Sequence, residues 1–222
     1  MWTSLLKRFE QPWEDSDVVI DVDGFKFHTH LSILRWNSSV LNAMFTNDGF
    51  AESLDKKVTL PGKNRKVFSY FLYFMYPAEE GVDISLQKDI VSRLNQQYEF
   101  DMSGEEDFWF VIELLKYADE YIASGVKARL DRVLSGCFKF LDYSSDDSTD
   151  ILLYAILKLV DILERYYLPD LHMTTMRLLV NIRRELQHRS GSSSRHRQQQ
   201  SQITAAEAKM AMLSFNLVAE QF

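Results

Sequence analysis

The stretch Asp17-Val18-Val19-Ile20-Asp21-Val22-Asp23-Gly24-Phe25-Lys26-Phe27-His28-Thr29-His30 alternates with a period of two. Val18, Ile20 and Val22 share one face while Asp21 and Asp23 take the other, the pattern of a half-buried strand. Asp23-Gly24 then separates this run from Phe25 and Phe27. A two-residue Asp-Gly loop between alternating runs predicts a hairpin, because its turn type needs positive φ at both central positions.

On either side of this hairpin the period becomes helical. Leu5, Leu6 and Phe9 behind Thr3 predict a short leading helix, which Pro12 to Glu14 interrupts. After it, helices are expected over His30 to Trp36 and Ser38 to Phe45, a third strand at Val58-Thr59-Leu60, and a helix from Lys66 to Pro77. That last helix carries Val67, Phe68, Phe71, Leu72 and Met75 on one side. Residues 79–107 are polar and read as a surface insertion. Strong helical periods return over Phe108 to Ile122 and from Val126 to Phe138. Leu114, Tyr121, Val126 and Leu134 are echoed 45 positions on by Leu159, Tyr166, Leu171 and Leu179, which predicts two similar helical hairpins. Ser144 to Asp150 reads as a polar linker, with phosphate acceptance by its serines as the alternative. Gln187 to Gln202 holds too little apolar surface to offset chain entropy, so disorder is expected there. Thr204 with Glu207 has capping-box spacing for a last helix.

The totals narrow the function classes. With 222 residues, 46% of them hydrophobic, one or two cores are expected. A formal charge of −7 argues against coating a nucleic acid backbone, since phosphate binding rests on clustered cations. Cys137 is the single cysteine, which excludes an internal disulfide and a multi-thiolate zinc site and fits a reducing compartment, so cytosol or nucleus is expected. No apolar run approaches the roughly 18 residues of a membrane span, and Met1 to Glu10 has no signal-peptide pattern.

Five blocks taken in order resemble the BTB/POZ domain family. They are Asp17-Val18 through Gly24-Phe25 and His28; Ser38, Leu41, Met44 and Phe45; Val58 and Leu60; Phe68 to Tyr76; and Leu115, Ala118-Asp119 and Tyr121. The resemblance implies an α+β fold, a three-stranded sheet capped by helices, followed here by an all-helical extension. On this reading residues 1–143 form the domain, interrupted by the insertion at about 79–107. A helical hairpin follows at 150–187, a disordered linker at 188–203 and a C-terminal helix at 204–222. Members usually dimerise through their first helices, which implies Leu5, Leu6, Phe9, Leu31 and Leu34 as interface residues, and many dock onto cullin-3, the scaffold of RING-type ubiquitin ligases.

Cullin-binding members carry an apolar residue, any residue and Glu after the Met-Phe helix, and Phe50-Ala51-Glu52 stands at that place. The resemblance therefore implies a cullin-facing set of Met44, Phe45, Phe50, Glu52 and Tyr121. An apolar anchor beside a carboxylate suits a partner pocket with a polar rim. The plainer alternative has Phe50 tucked into its own core and Glu52 solvated. The sequence departs from the family in having Leu31 where Lys or Arg usually follows the His. No kelch, MATH or zinc-finger pattern is legible, so the client of a ligase adaptor would be held by the second hairpin, the tail or another chain.

Catalytic and metal readings are thin. His28 and His30 form a His-x-His pair with no supporting third ligand, and a structural His30 at a helix start is expected instead. Asp21-Val22-Asp23-Gly24 opens like a calcium loop, yet Ser32 stands where the final carboxylate belongs. No phosphate loop or nucleophile elbow is present, and Cys137 lies on an apolar helix face where a buried thiol is the default. Arg177, Arg183, Arg184, Arg189, Arg195 and Arg197 read either as a solvated face running into a tail or as an import or nucleic-acid patch. Ala206, Met210, Leu213, Leu217 and Val218 predict that the last helix packs on something. The expectation is a non-enzymatic protein–protein interaction module without cofactor. It is read as a homodimeric cullin-3 adaptor for an unknown client, or alternatively as a BTB-type dimerisation scaffold for transcriptional or cytoskeletal assembly. Neither nucleic acid nor membrane is expected as a partner.

Overall fold

The computed structural model describes residues 7–12, 15–47, 49–77, 106–137, 146–188 and 194–219. Two compact units emerge, one of Met1–Glu79 with Trp109–Leu130 and the other of Glu80–Phe108 with Asp131–Phe222. Leu5 and Leu6, the sequence-predicted insertion up to residue 105 and Ser144-Ser145 lie outside the described residues, whereas Asp146 to Asp150, expected as linker, are helical.

In the first unit the hairpin forms as the alternation predicts. β1 (Val18–Val22) runs antiparallel to β2 (Phe25–Thr29), with Ile20 opposite Phe27. Asp23 and Gly24 take φ of 51° and 77°, and the Asp21 carboxylate accepts the Gly24 N–H at 3.1 Å. β3 (Lys57–Thr59) lies parallel to β1 on its other side, giving the order β2-β1-β3. Val18, Ile20, Val22 and Phe27 are all buried.

The chain between β2 and β3 folds into α1 (Leu31–Asn37), α2 (Ser39–Thr46) and the short α3 (Ala51–Asp55). Asp17 starts α1 by accepting the Leu31 N–H at 2.7 Å. Ser38 starts α2 by accepting the Leu41 N–H, and its hydroxyl also donates to the Tyr121 carbonyl at 2.6 Å. That single buried serine joins the second and last blocks of the sequence pattern.

α4 (Arg65–Met75) departs from the one-sided stripe, since every residue from Val67 to Met75 is buried. A helix apolar all round belongs inside a core. Phe27, Tyr117 and Tyr121 pack against Phe68, Phe110 stands edge-on to Tyr70, and the Arg129 guanidinium lies over Tyr73 and Phe74. Arg129 also donates to the Tyr73 and Tyr76 carbonyls and the Tyr73 hydroxyl, so it satisfies the C-terminal end of α4. At the same end Tyr76 accepts the His30 N–H and meets His30 Nδ1 at 3.0 Å, which makes His30 structural. Burial is the main cause that pushes the Tyr76 phenol up to about 12.

α5 (Glu106–Glu120) turns into α6 (Ser124–Cys137) through Ile122, which adopts φ of 48°. The Ala123 N–H reaches the Ala118 carbonyl and the Ile122 N–H the Asp119 carbonyl, the paired bonds of a Schellman motif. Glycine usually fills that left-handed place, yet here a β-branched side chain stands there, 63% exposed.

The second unit is helical in its described part: the end of α6, α7 (Asp146–Arg165), α8 (Pro169–His188) and α9 (Ser194–Ala219). Leu153, Ile156, Val160 and Leu163 face inward from α7, and Leu171, Leu178, Leu179, Ile182 and Leu186 from α8. Pro169 supplies a preset φ at the first position of α8, and the buried Asp131 carboxylate accepts the next two N–H groups, Asp170 at 2.9 Å and Leu171 at 2.7 Å.

The last helix differs from expectation. It begins at Ser194 and not Thr204, so ten residues predicted as disordered linker are helical. Gln and Arg are good helix formers, and Gln199, Ile203, Ala206 and Met210 bury one stripe within the unit. The capping box is absent too. Thr204 bonds back to the Gln200 carbonyl within the helix, and Glu207 pairs with Arg183.

Candidate partner-docking site

The loop after α2 is built to present one side chain. Asn47 Oδ1 accepts the Gly49 N–H, the Asn47 carbonyl accepts the Phe50 N–H, and the Phe50 carbonyl accepts the Ser53 hydroxyl. Lys56 closes α3 in a left-handed conformation and donates its ammonium to the Phe45 carbonyl at 3.1 Å.

Phe50 stands at the start of α3 with 46% of its surface exposed, so it is not tucked into the core. Glu52 follows in the first turn of α3, half-exposed, and makes no hydrogen bond or ion pair with the described residues. One helical turn beyond Phe50 stands Leu54, 79% exposed, which the sequence reading missed. Its spacing of four from Phe50 was the available signal, obscured because α3 is too short to show a period. Phe50, Glu52 and Leu54 thus form an apolar pair beside an uncommitted carboxylate.

The other implied residues fall into different places. Met44 is half-buried, whereas Phe45 and Tyr121 are buried and act as the floor that holds α2 and α3. Burial pushes the Tyr121 phenol well above its usual range, with the Glu120 carboxylate adding to the shift. Lys63 stands over the Tyr117 and Tyr121 rings and pairs with Glu120.

Of the implied dimer residues, Phe9 and Leu34 are buried within the chain itself, Phe9 against Phe27 and Tyr76. Leu31 is half-buried. On the same helix as Leu31, Trp36 is 90% exposed, and the sequence reading did not single it out as an interface residue.

The described residues contain no cluster of three or more His, Cys, Asp or Glu able to hold a metal. Burial pushes the Cys137 thiol up to about 12, so it stays protonated near neutrality. Among the described residues no helix is long and apolar enough to cross a membrane.

A mixed sheet wrapped by helices, presenting apolar side chains from a braced turn, defines a protein–protein interaction module. Residues 6–107 match the family described as BTB/POZ domain. Such domains mediate protein–protein interactions, self-association among them. A search of the curated proteins finds no match.

Proposed function

We propose that this protein is a dimeric BTB-type adaptor that binds cullin-3 and delivers a client protein to a RING ubiquitin ligase. The observation that carries the reading is Phe50, a large aromatic side chain half in solvent on a braced turn, with Glu52 beside it holding an unused carboxylate. A centrally placed aromatic anchor with a polar neighbour is the composition of an interface hot spot. Leu54 extends the same apolar surface. Met44 flanks the site, with Phe45 and Tyr121 beneath it as support.

The proposal is tested with purified cullin-3 and the full chain. Phe50→Ala with Glu52→Ala is expected to abolish the pull-down while leaving the oligomeric mass unchanged in size-exclusion chromatography with light scattering. Retained binding by that double variant removes the proposal. Wild-type protein that dimerises yet ignores cullin-3 supports the dimerisation scaffold in its place. The expected residence is cytosol or nucleus, and fluorescence of a tagged full chain in cells checks it.

A further inference from the structure

The outward face of α8 carries a pattern that the BTB domain does not explain. Met173, Arg177, Val180 and Arg184 recur at spacings of four, three and four, so they form one stripe along the helix. Met173 is 56% and Val180 40% exposed, and the half-buried Met176 lies alongside. Arg177 and Arg184 are exposed and make no ion pair or hydrogen bond among the described residues. This contrasts with Arg183, which is held by Glu207, and with Lys209, held by Asp161 and Glu164.

We propose that this stripe is a docking face for an acidic amphipathic helix of a partner protein, distinct from the partner of the BTB domain. The two free guanidinium groups are seven residues apart, which along a helix is about 10 Å. A helix laid alongside presents carboxylates at that same interval when they stand two turns apart, each able to take one arginine in a bidentate pair. Met173, Met176 and Val180 supply the apolar seam between these charges, and methionine adapts its shape to a partner surface. Val180 has no reason in helix propensity to stand in solvent, since β-branched residues are mediocre helix formers.

The chemistry selects this occupant over others. Two cations on a chain of net charge −7 are too few to hold a nucleic acid backbone by counterion release. A membrane-surface helix needs a broad apolar face, and the broad apolar face of α8 is already turned into its own unit through Leu171, Leu178, Leu179, Ile182 and Leu186.

The test uses the full chain and a fluorescein-labelled peptide of about 20 residues with Leu at helical a and d positions and Glu flanking them two turns apart. Fluorescence anisotropy is expected to show saturable binding that weakens with added salt. Arg177→Glu with Arg184→Glu is expected to raise Kd about tenfold or more, and the milder Arg177→Gln with Arg184→Gln by less, each with a wild-type circular dichroism spectrum. A peptide with Lys in place of Glu is expected not to bind. Absence of binding by the acidic peptide, equal binding by the charge-reversed chain, or equally tight binding of phosphatidylserine vesicles each overturns the proposal. Phe50→Ala with Glu52→Ala keeps peptide binding intact, so this result and the cullin result stand apart.

Discussion

Each unit closes one helix end with a buried ionisable group, and the two groups have opposite sign. In the first unit Arg129 holds the C-terminal carbonyls of α4, while in the second Asp131 holds the N-terminal N–H groups of α8. The helix dipole dictates this choice, since its C-terminal end favours a cation and its N-terminal end an anion. The difference lies in titration. A guanidinium keeps its proton across the accessible pH range, whereas a carboxylate does not. Burial raises the Asp131 carboxyl above its ordinary range despite the two N–H groups that oppose the shift. The first unit is thereby sealed by a permanent charge and the second by a conditional one.

Breaking the permanent seal is expected to cost most. Arg129→Met keeps much of the side-chain volume but leaves the Tyr73 and Tyr76 carbonyls without their partner, and urea denaturation is expected to show a loss of about 3 kcal/mol. A loss below about 1 kcal/mol would mean that water replaces the guanidinium readily. Asp131→Ala removes two bonds at a buried cap and is expected to cost about 2 kcal/mol. Asp131→Asn, which keeps one acceptor, is expected to cost less by the same measurement.

A smaller effect sharpens the contrast through pH. His172 on α8 meets the Ser214 hydroxyl at 3.0 Å, and that hydroxyl also lies within hydrogen-bond distance of the Met210 carbonyl. Burial lowers the His172 pKa, with Asp131 opposing the shift. Fewer protons are therefore bound in the folded state, so the contribution is complete above the ordinary value of about 6.5 and is lost as pH falls through the lowered folded value. Thermal melts of the wild type and His172→Gln are expected to converge on acidification in that window. Parallel curves would assign the pH response elsewhere. The smallest expected effect is a gain: Ile122→Gly removes the left-handed strain of a β-branched residue and raises stability by up to about 1 kcal/mol, reduced by the added chain entropy of glycine.

The same contrast explains what was legible beforehand. The hairpin, the face of β1 and the helices α1, α2, α4, α5 and α6 were readable because alternation, helical period and the Asp-Gly turn are local signals, whereas α3 was too short to show a period; Phe50-Ala51-Glu52 stood out because it follows the earlier blocks in order. Arg129, Asn64 and Tyr76 were not readable as ties, because their partners lie dozens of residues away: Tyr73 for Arg129, Tyr117 for Asn64 and His30 for Tyr76. Asp131 was hidden for the same reason, its partners being the N–H groups of Asp170 and Leu171. The expectation of a disordered linker did not hold over residues 194–203 because polar composition was weighed without helix propensity, and because the buried side of Gln199 depends on neighbours supplied by tertiary packing.

Trp36 carries a practical consequence. An indole that is 90% exposed emits as a water-solvated fluorophore, and any macromolecule that covers α1 shifts that emission to shorter wavelength and shields it from iodide. The difference spectrum between the wild type and Trp36→Phe isolates this signal from the other three tryptophans. The protein therefore contains its own optical gauge of whether that helix is occupied, usable without a label on either molecule.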